Sequence, residues 1–207
     1  MQILKDNIKK KILEAAKKES LAKGFSDASM RTIAANAGVG VSTIYTYYQN
    51  KDELMTEVCM PFVNAANTIT VEHHNADTNI DDMLDINKQS ETAHMLISLV
   101  KKYKDLIRLI LFRSDGSSMN NFRDEYNDRT TAHMLWFFGK MKMKYPYINT
   151  EISTFFLHAN CAWMLSIIGE IVSHDLSDEE INKFTKDYVR YSTAGWATLF
   201  GVEMKSR

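Results

Sequence analysis

Proline and glycine are scarce, at two and eight of 207 residues. So few chain breakers leave little punctuation for a strand-and-turn architecture and favour long helices. Cys59 and Cys161 lie far apart and belong to no CxxC or Cys/His framework, so neither a disulfide scaffold nor a zinc site is expected. No run approaches 18 apolar residues, and the opening MQILKDNIKKK has too short an apolar stretch and too many lysines for a signal peptide. A cytoplasmic protein with no membrane partner is the expectation. A nucleophile elbow, a phosphate-cradling glycine loop and a positioned carboxylate pair are likewise missing. No enzymatic activity and no cofactor are expected.

What the chain does have is apolar mass and an uneven charge. The hydrophobic share is 45%, enough for a buried core. The net charge of −1 conceals an asymmetry: residues 1–55 carry nine Lys/Arg against six Asp/Glu, and the remainder sixteen against twenty. An anionic partner would meet the front end more favourably than the rest.

Helical periodicity runs through the front segment. From Asn7 to Lys23, Ile8, Ile12, Ala15 and Ala16 share one face with lysines opposite, and Gly24 supplies a stop. Ser29 reads as an N-cap for a two-turn helix whose apolar face is Met30, Ile33, Ala34 and Ala37, ending at Gly38. After a tight turn comes VSTIYTYY, and Asn50 to Glu53 has the spacing of a capping box for the next helix. Residues 29–48 thus read as helix, turn, helix. Further helices are expected at about 51–72, 80–102, 104–113, 119–144, 150–173 and 178–203, the first of them kinked or cut short by Pro61. Ser177 to Glu180 is a second capping box.

In a helix-turn-helix the second helix enters the major groove, so its outward side chains should be short, polar or hydrogen-bonding rather than a run of acids. Val41, Ser42, Thr43, Thr46 and Tyr47 meet that requirement, while Ile44 and Tyr48, four apart, face inward with Val39. Lys51 falls at the start of the next helix, where an ammonium beside free amides suits a phosphate.

Gly24-Phe25, Ser29-Met30-Arg31, Ile33-Ala34, Ala37-Gly38-Val39, Ile44-Tyr45, Tyr47-Tyr48, Asn50-Lys51 and Leu54 together resemble the DNA-binding domain of the TetR family of transcriptional regulators over about 45 residues. The resemblance implies that Arg31, Val41, Ser42, Thr43, Thr46 and Tyr47 face bases or backbone, with Ser29, Tyr45 and Lys51 at phosphate-contacting positions. It also implies a homodimer on palindromic operator DNA, controlled by a small molecule in a larger second domain. The sequence departs from the family at Glu19 and Ser20, where a leucine and an aromatic are usual, and at Tyr48, where phenylalanine is. Ser20 would leave room for the larger tyrosine and a partner for its hydroxyl, which a buried phenol normally needs.

The expected fold is therefore all-α: a three-helix DNA-binding domain over 1–55 and a larger helical ligand-binding and dimerisation domain over 56–207. Residues 150–173 are apolar almost all round, and with 178–203 they carry more apolar surface than one small core needs. A homodimer through these two helices would use it. Met95, Phe112, Phe122, Trp136, Phe137 and His158 are candidates to line a pocket for an apolar or amphipathic ligand, since thioethers and flat rings adapt to such molecules. His73, His74 and Asp77, or His158 with Cys161, lack the three or four convergent ligands that a metal needs. Two alternatives remain: a regulator of the same fold without a small-molecule ligand, and a helical protein-interaction module without DNA binding.

Overall fold

A computed structural model describes residues 2–203 other than 76 and 175. Among the described residues the chain is all-α, with no strand: α1 (Gln2–Asp27), α2 (Met30–Ala37), α3 (Val41–Tyr45), α4 (Lys51–His73), α5 (Ile80–Met83), α6 (Ile86–Lys102), α7 (Lys104–Phe112), a 3₁₀ turn (Ser118–Asn121), α8 (Phe122–Lys144), α9 (Thr154–Ser173) and α10 (Asp178–Phe200). By compactness the chain forms two units, Met1–Ala66 with Tyr103–Arg123, and Asn67–Lys102 with Asp124–Arg207. The segment Tyr103–Arg123 therefore belongs with the front of the chain.

Where the elements differ from the sequence reading, local side chains explain most of it. The helix expected over 80–102 is two. Leu84 leaves helical geometry (φ −103°, ψ 1°), and the Asp85 carboxylate accepts from the amides of Asn87 and Lys88 at 2.7 and 3.2 Å. A short acidic side chain that captures those amides starts a new helix instead of continuing the old one. The 150–173 helix begins at Thr154, because the Ser153 hydroxyl caps it through the Phe156 amide. Gly201, left-handed at φ 67°, ends α10 at Phe200. Pro61 neither ends nor interrupts α4, which continues to His73. It lies on an exposed face, and proline there leaves only the Glu57 carbonyl without its helical amide.

The first unit is built on α1 to α3, most of α4, and α7. Ile12, Ile33, Ile44, Leu54 and Ile107 are fully buried in it, each stabilising it by roughly 1.5–3 kcal/mol of apolar burial. Lys17 and Asp105 join α1 to α7 by an exposed ion pair at 3.1 Å.

The second unit centres on Ile80, Phe137, Phe138, Met141, Ile148, Leu157 and Phe200. Phe138 meets the Phe200 and Trp196 rings edge-on at 5.4 and 5.7 Å, a geometry that aligns ring edge with ring face. The expected capping box at Ser177 is complete, with both the Ser177 and the Glu180 side chains satisfying backbone amides. Beside this core, His73 Nδ1 lies 3.1 Å from His74 Nε2, and His133 Nε2 lies 2.8 Å from the His74 carbonyl oxygen. Among the described residues no group of three or more His, Cys, Asp or Glu is placed to hold a metal ion.

Burial, and then the neighbouring His73 and His133 rings, push the His74 imidazole down to about 3, and burial lowers His73 as well. An unfolded histidine titrates near 6.5, so between that pH and about 3 the unfolded chain binds a proton that folded His74 refuses. Stability is then complete above about pH 6.5 and falls on acidification. His74→Gln should reduce the stability lost between pH 7.5 and 5.5 by roughly 1 kcal/mol. Urea titrations of both proteins at the two pH values measure this, and equal losses would remove His74 as the cause.

Candidate nucleic-acid interface

Helix α2 starts where the sequence places its cap: the Ser29 hydroxyl accepts from the Thr32 amide at 3.4 Å. It ends at Gly38, left-handed at φ 69° and ψ 33°, whose amide returns to the carbonyls of Ala34 and Ala35. Ile33, Ala34 and Ala37 are its buried face, and Arg31 is exposed. After Gly40 comes α3, a helix of only five residues. The chain then tightens, with the Thr46 amide donating to Thr43 and those of Tyr47 and Tyr48 both donating to Ile44.

Ile44 and Tyr48 are fully buried. Their burial fixes which side of α3 is left outside. Ser42, Tyr45 and Thr46 are exposed, and Val41, Thr43 and Tyr47 are half-buried at the rim. Tyr45 is 52% exposed although aromatic. With Arg31, these side chains form a polar and aromatic surface of the kind that meets sugar-phosphate and base edges. The Thr46 hydroxyl donates to the Thr43 carbonyl at 2.7 Å and the Tyr47 hydroxyl to the Lys5 carbonyl at 3.4 Å, so both oxygens keep acceptor capacity.

The departures at 19, 20 and 48 find their explanation here. Glu19, 6% exposed, accepts from the Ser29 amide at 3.4 Å and pairs with Lys23 at 3.0 Å. It therefore joins α1 to the cap of α2, where a negative charge faces the positive end of the helix. Ser20 does not serve Tyr48: its hydroxyl donates to Met55 Sδ at 2.9 Å. The Tyr48 hydroxyl has no hydrogen-bond partner among the described residues. Burial, and then the carboxylate of Glu57, hold that phenol well above its ordinary range. Lys9 pairs with Glu57 at 2.7 Å and lies 6.0 Å from the centre of the Tyr48 ring.

The cap at the start of α4 is half of the expected box. Asn50 Oδ1 accepts from the Glu53 amide at 2.8 Å, but the Glu53 carboxylate accepts from Gln49, one residue earlier, at 2.6 Å. Lys51 points back into the protein, its Nζ donating to the carbonyls of Phe25, Ser26 and Ala28 at 2.8, 2.9 and 3.1 Å.

The candidate pocket residues are divided between the two compact units. Phe112 and Phe122 fall in the first compact unit, Met95, Trp136, Phe137 and His158 in the second. Phe122 is buried, with its ring 6.2 Å from Phe62. Phe137 is completely enclosed, whereas Met95, Phe112 and Trp136 are about half exposed. His158 Nε2 lies 2.9 Å from Asn127 Nδ2. An open groove of about 400 Å³ between α6 and α10, lined by Ile86, Asp187, Arg190, Tyr191 and Ala194, includes none of the six. Sequence reasoning also missed Arg113, whose guanidinium reaches the carbonyls of Leu21 and Ala22 at 3.2 and 3.3 Å. The partners lie 92 and 91 positions apart, and no local pattern signals the pairing.

Residues 12–58 match the family described as bacterial regulatory proteins, tetR family. Over that segment the chain is similar to the DNA-binding part of the tetR family. Over 50 residues it is 46% identical to an uncharacterized HTH-type transcriptional regulator, YhgD, of Bacillus subtilis (strain 168), a stretch that is 24% of this chain and 26% of that protein. The match thus spans about a quarter of the curated relative's length. Solved structures extend the likeness along the chain. A structure from Mesorhizobium loti ascribed to a TetR-family transcriptional regulator aligns over 92% of this chain and 97% of its own, with a TM-score of 0.60 at 20% identity. NalD of Pseudomonas aeruginosa, the secondary repressor of the MexAB-OprM multidrug efflux pump, aligns over 92% and 95%, with a TM-score of 0.60 at 16% identity. At such identities these likenesses show the fold.

The turn at Gly38 gives a direct test. A Cβ there would meet nothing within 4 Å, so the backbone alone resists substitution. Gly38→Ala should cost about 1–2 kcal/mol, and Gly38→Asn less, because asparagine tolerates the left-handed region. Urea unfolding of the two variants decides this, and an equal cost for both would mean that the turn does not depend on positive φ.

Proposed function

We propose that the chain is a transcriptional repressor that reads palindromic operator DNA as a homodimer and responds to a small apolar or amphipathic ligand. The reading rests chiefly on one observation: α2, α3 and the turn after it bury Ile33, Ile44 and Tyr48 and point Arg31, Ser42, Tyr45 and Thr46 outward. An apolar inner face and a hydrogen-bonding outer face are what a helix entering the major groove requires. In this reading residues 1–55 meet DNA. Thr43, with Val41 and Tyr47 at the rim, senses bases, and Ser29 and Tyr45 take phosphates. Residues 56–207 serve dimerisation and ligand response.

The dimer is supported by α9 and α10. Helix α9 is long and apolar enough, by length and composition, to cross a membrane, yet only 28% of its most apolar stretch is buried within the chain. Its Trp163 ring lies 5.8 Å from both Tyr188 and Tyr191 of α10, and Trp163, Phe184 and Tyr191 stay exposed. A two-fold axis through this face would cover it with its own copy. Gly195 is exposed with open space above it, which allows close helix approach. A second reading, the same regulator without a small-molecule ligand, is favoured by Phe122 and Phe137, which are already closed in by neighbouring side chains.

The proposal is tested on the full chain with a duplex recovered from a random pool. Thr43→Ala should change base preference, and Arg31→Ala should weaken binding and change the slope of log affinity against log salt by about one unit if it neutralises a phosphate. Gly195→Glu should give monomers by sedimentation, with operator affinity lost. Unaltered base preference in Thr43→Ala would take α3 out of the groove, and an intact Gly195→Glu dimer would place the interface elsewhere.

A further inference from the structure

The end of α1 is held by two cations from distant parts of the same compact unit. At Gly24 the backbone turns out of helical geometry (φ 81°, ψ 170°), so nearby carbonyls need partners from outside the helix. Arg113 Nη1 donates to the carbonyls of Leu21 and Ala22 at 3.2 and 3.3 Å. The Arg113 carbonyl accepts the Phe25 amide at 2.9 Å, and the Ser26 hydroxyl donates to the Asp115 carbonyl at 3.0 Å. From the other side Lys51 Nζ donates to the carbonyls of Phe25, Ser26 and Ala28, and it lies 4.7 Å from the centre of the Phe25 ring. An ammonium has three protons. All three of this one are directed at the protein's own backbone.

We infer that Lys51 and Arg113 are positioning residues for the DNA-reading head, clamping residues 21–28 and so setting where α2 begins, and that Lys51 does not meet DNA phosphate. The inference rests on the DNA-reading function proposed above for what is positioned, but the clamp itself is a property of the free protein. Hydrogen bonds from a charged donor are stronger than neutral ones. A phosphate would have to displace at least one of the three to reach the ammonium. The clamped carbonyls end one residue before Ser29, the cap of α2, and two residues further on stands the exposed Arg31. The turn bearing Arg113 is itself fitted closely, since a Cβ on Gly116, at φ 80°, would come within 3.0 Å of Ser26 Oγ.

The experiment uses the full-length protein in two measurements on Lys51→Met, which keeps most of the stem over Phe25 but removes the protons, and on Arg113→Lys. Amide hydrogen exchange in the free protein should become roughly ten-fold faster over residues 24–30 in Lys51→Met and over residues 21–28 in Arg113→Lys, with protection in α9 and α10 unchanged. Affinity of Lys51→Met for a 30-base-pair duplex of arbitrary sequence should fall while its dependence on salt keeps the wild-type slope. Unchanged exchange over 24–30 overturns the clamp, and a slope altered by about one unit makes Lys51 a phosphate ligand instead. If Lys51→Met fails to fold, Lys51→Arg is read by exchange over 24–30, because a planar fork cannot direct three protons at those three carbonyls, and Lys51→Gln, which removes the charge, is read for the salt slope. Should the wild type bind no duplex even at low salt, the DNA-reading proposal falls, and the exchange measurement still decides the clamp.

Discussion

The carbonyls around Gly24 impose the constraint on which the front of the molecule depends. A helix that ends in such a turn exposes acceptors that must be satisfied, and here the donors come from positions 51 and 113. Because those donors sit on different elements, satisfying the carbonyls also fixes the place of α4 and of the turn after α7 against the end of α1. Glu19 adds a link in the other direction by accepting the Ser29 amide. The orientation of α2, and of the short α3 behind it, is thus the outcome of polar accounting at one helix end as much as of apolar packing beneath.

What was legible in the sequence was local. Ser29, Gly38 and Ser177 announce helix ends through interactions that span no more than four residues, and each has the role that its type predicts. Inward and outward faces of residues 41–48 followed from spacing alone, since Ile44 and Tyr48 had to be on one side. The break at Leu84–Asp85 was equally local but was outweighed by the apolar periodicity on both sides, and the capture of amides by the Asp85 carboxylate decided the matter. The partners of Ser20, Glu19 and Arg113 were illegible for a different reason. Each pairs with an atom brought near only by the fold, and for Ser20 the partner is a sulfur, Met55, which no pattern of polar residues would reveal.

In the second unit, aromatic residues that composition treats alike have different surroundings. Phe137 and Phe138 are enclosed in the core while Trp136, next to them in sequence, is nearly half exposed, because successive positions on one helix point in different directions. Composition marks such residues equally, and only the packing separates a core ring from a surface ring. The excess apolar surface of α9 was legible because it is a property of the whole helix, and its 28% burial leaves the same surplus in the folded unit. In the proposed dimer a second copy covers that face and brings two reading heads together, so assembly and DNA reading are one question.

That question is answered most directly by selecting from a random duplex pool with the full-length wild-type protein at low salt and sequencing what is retained. The account predicts an inverted repeat whose half-sites lie a whole number of helical turns apart, about 10–10.5 base pairs per turn, as two symmetry-related heads require. A pool that emerges without enrichment, or that is enriched in a single unpaired half-site, would contradict it.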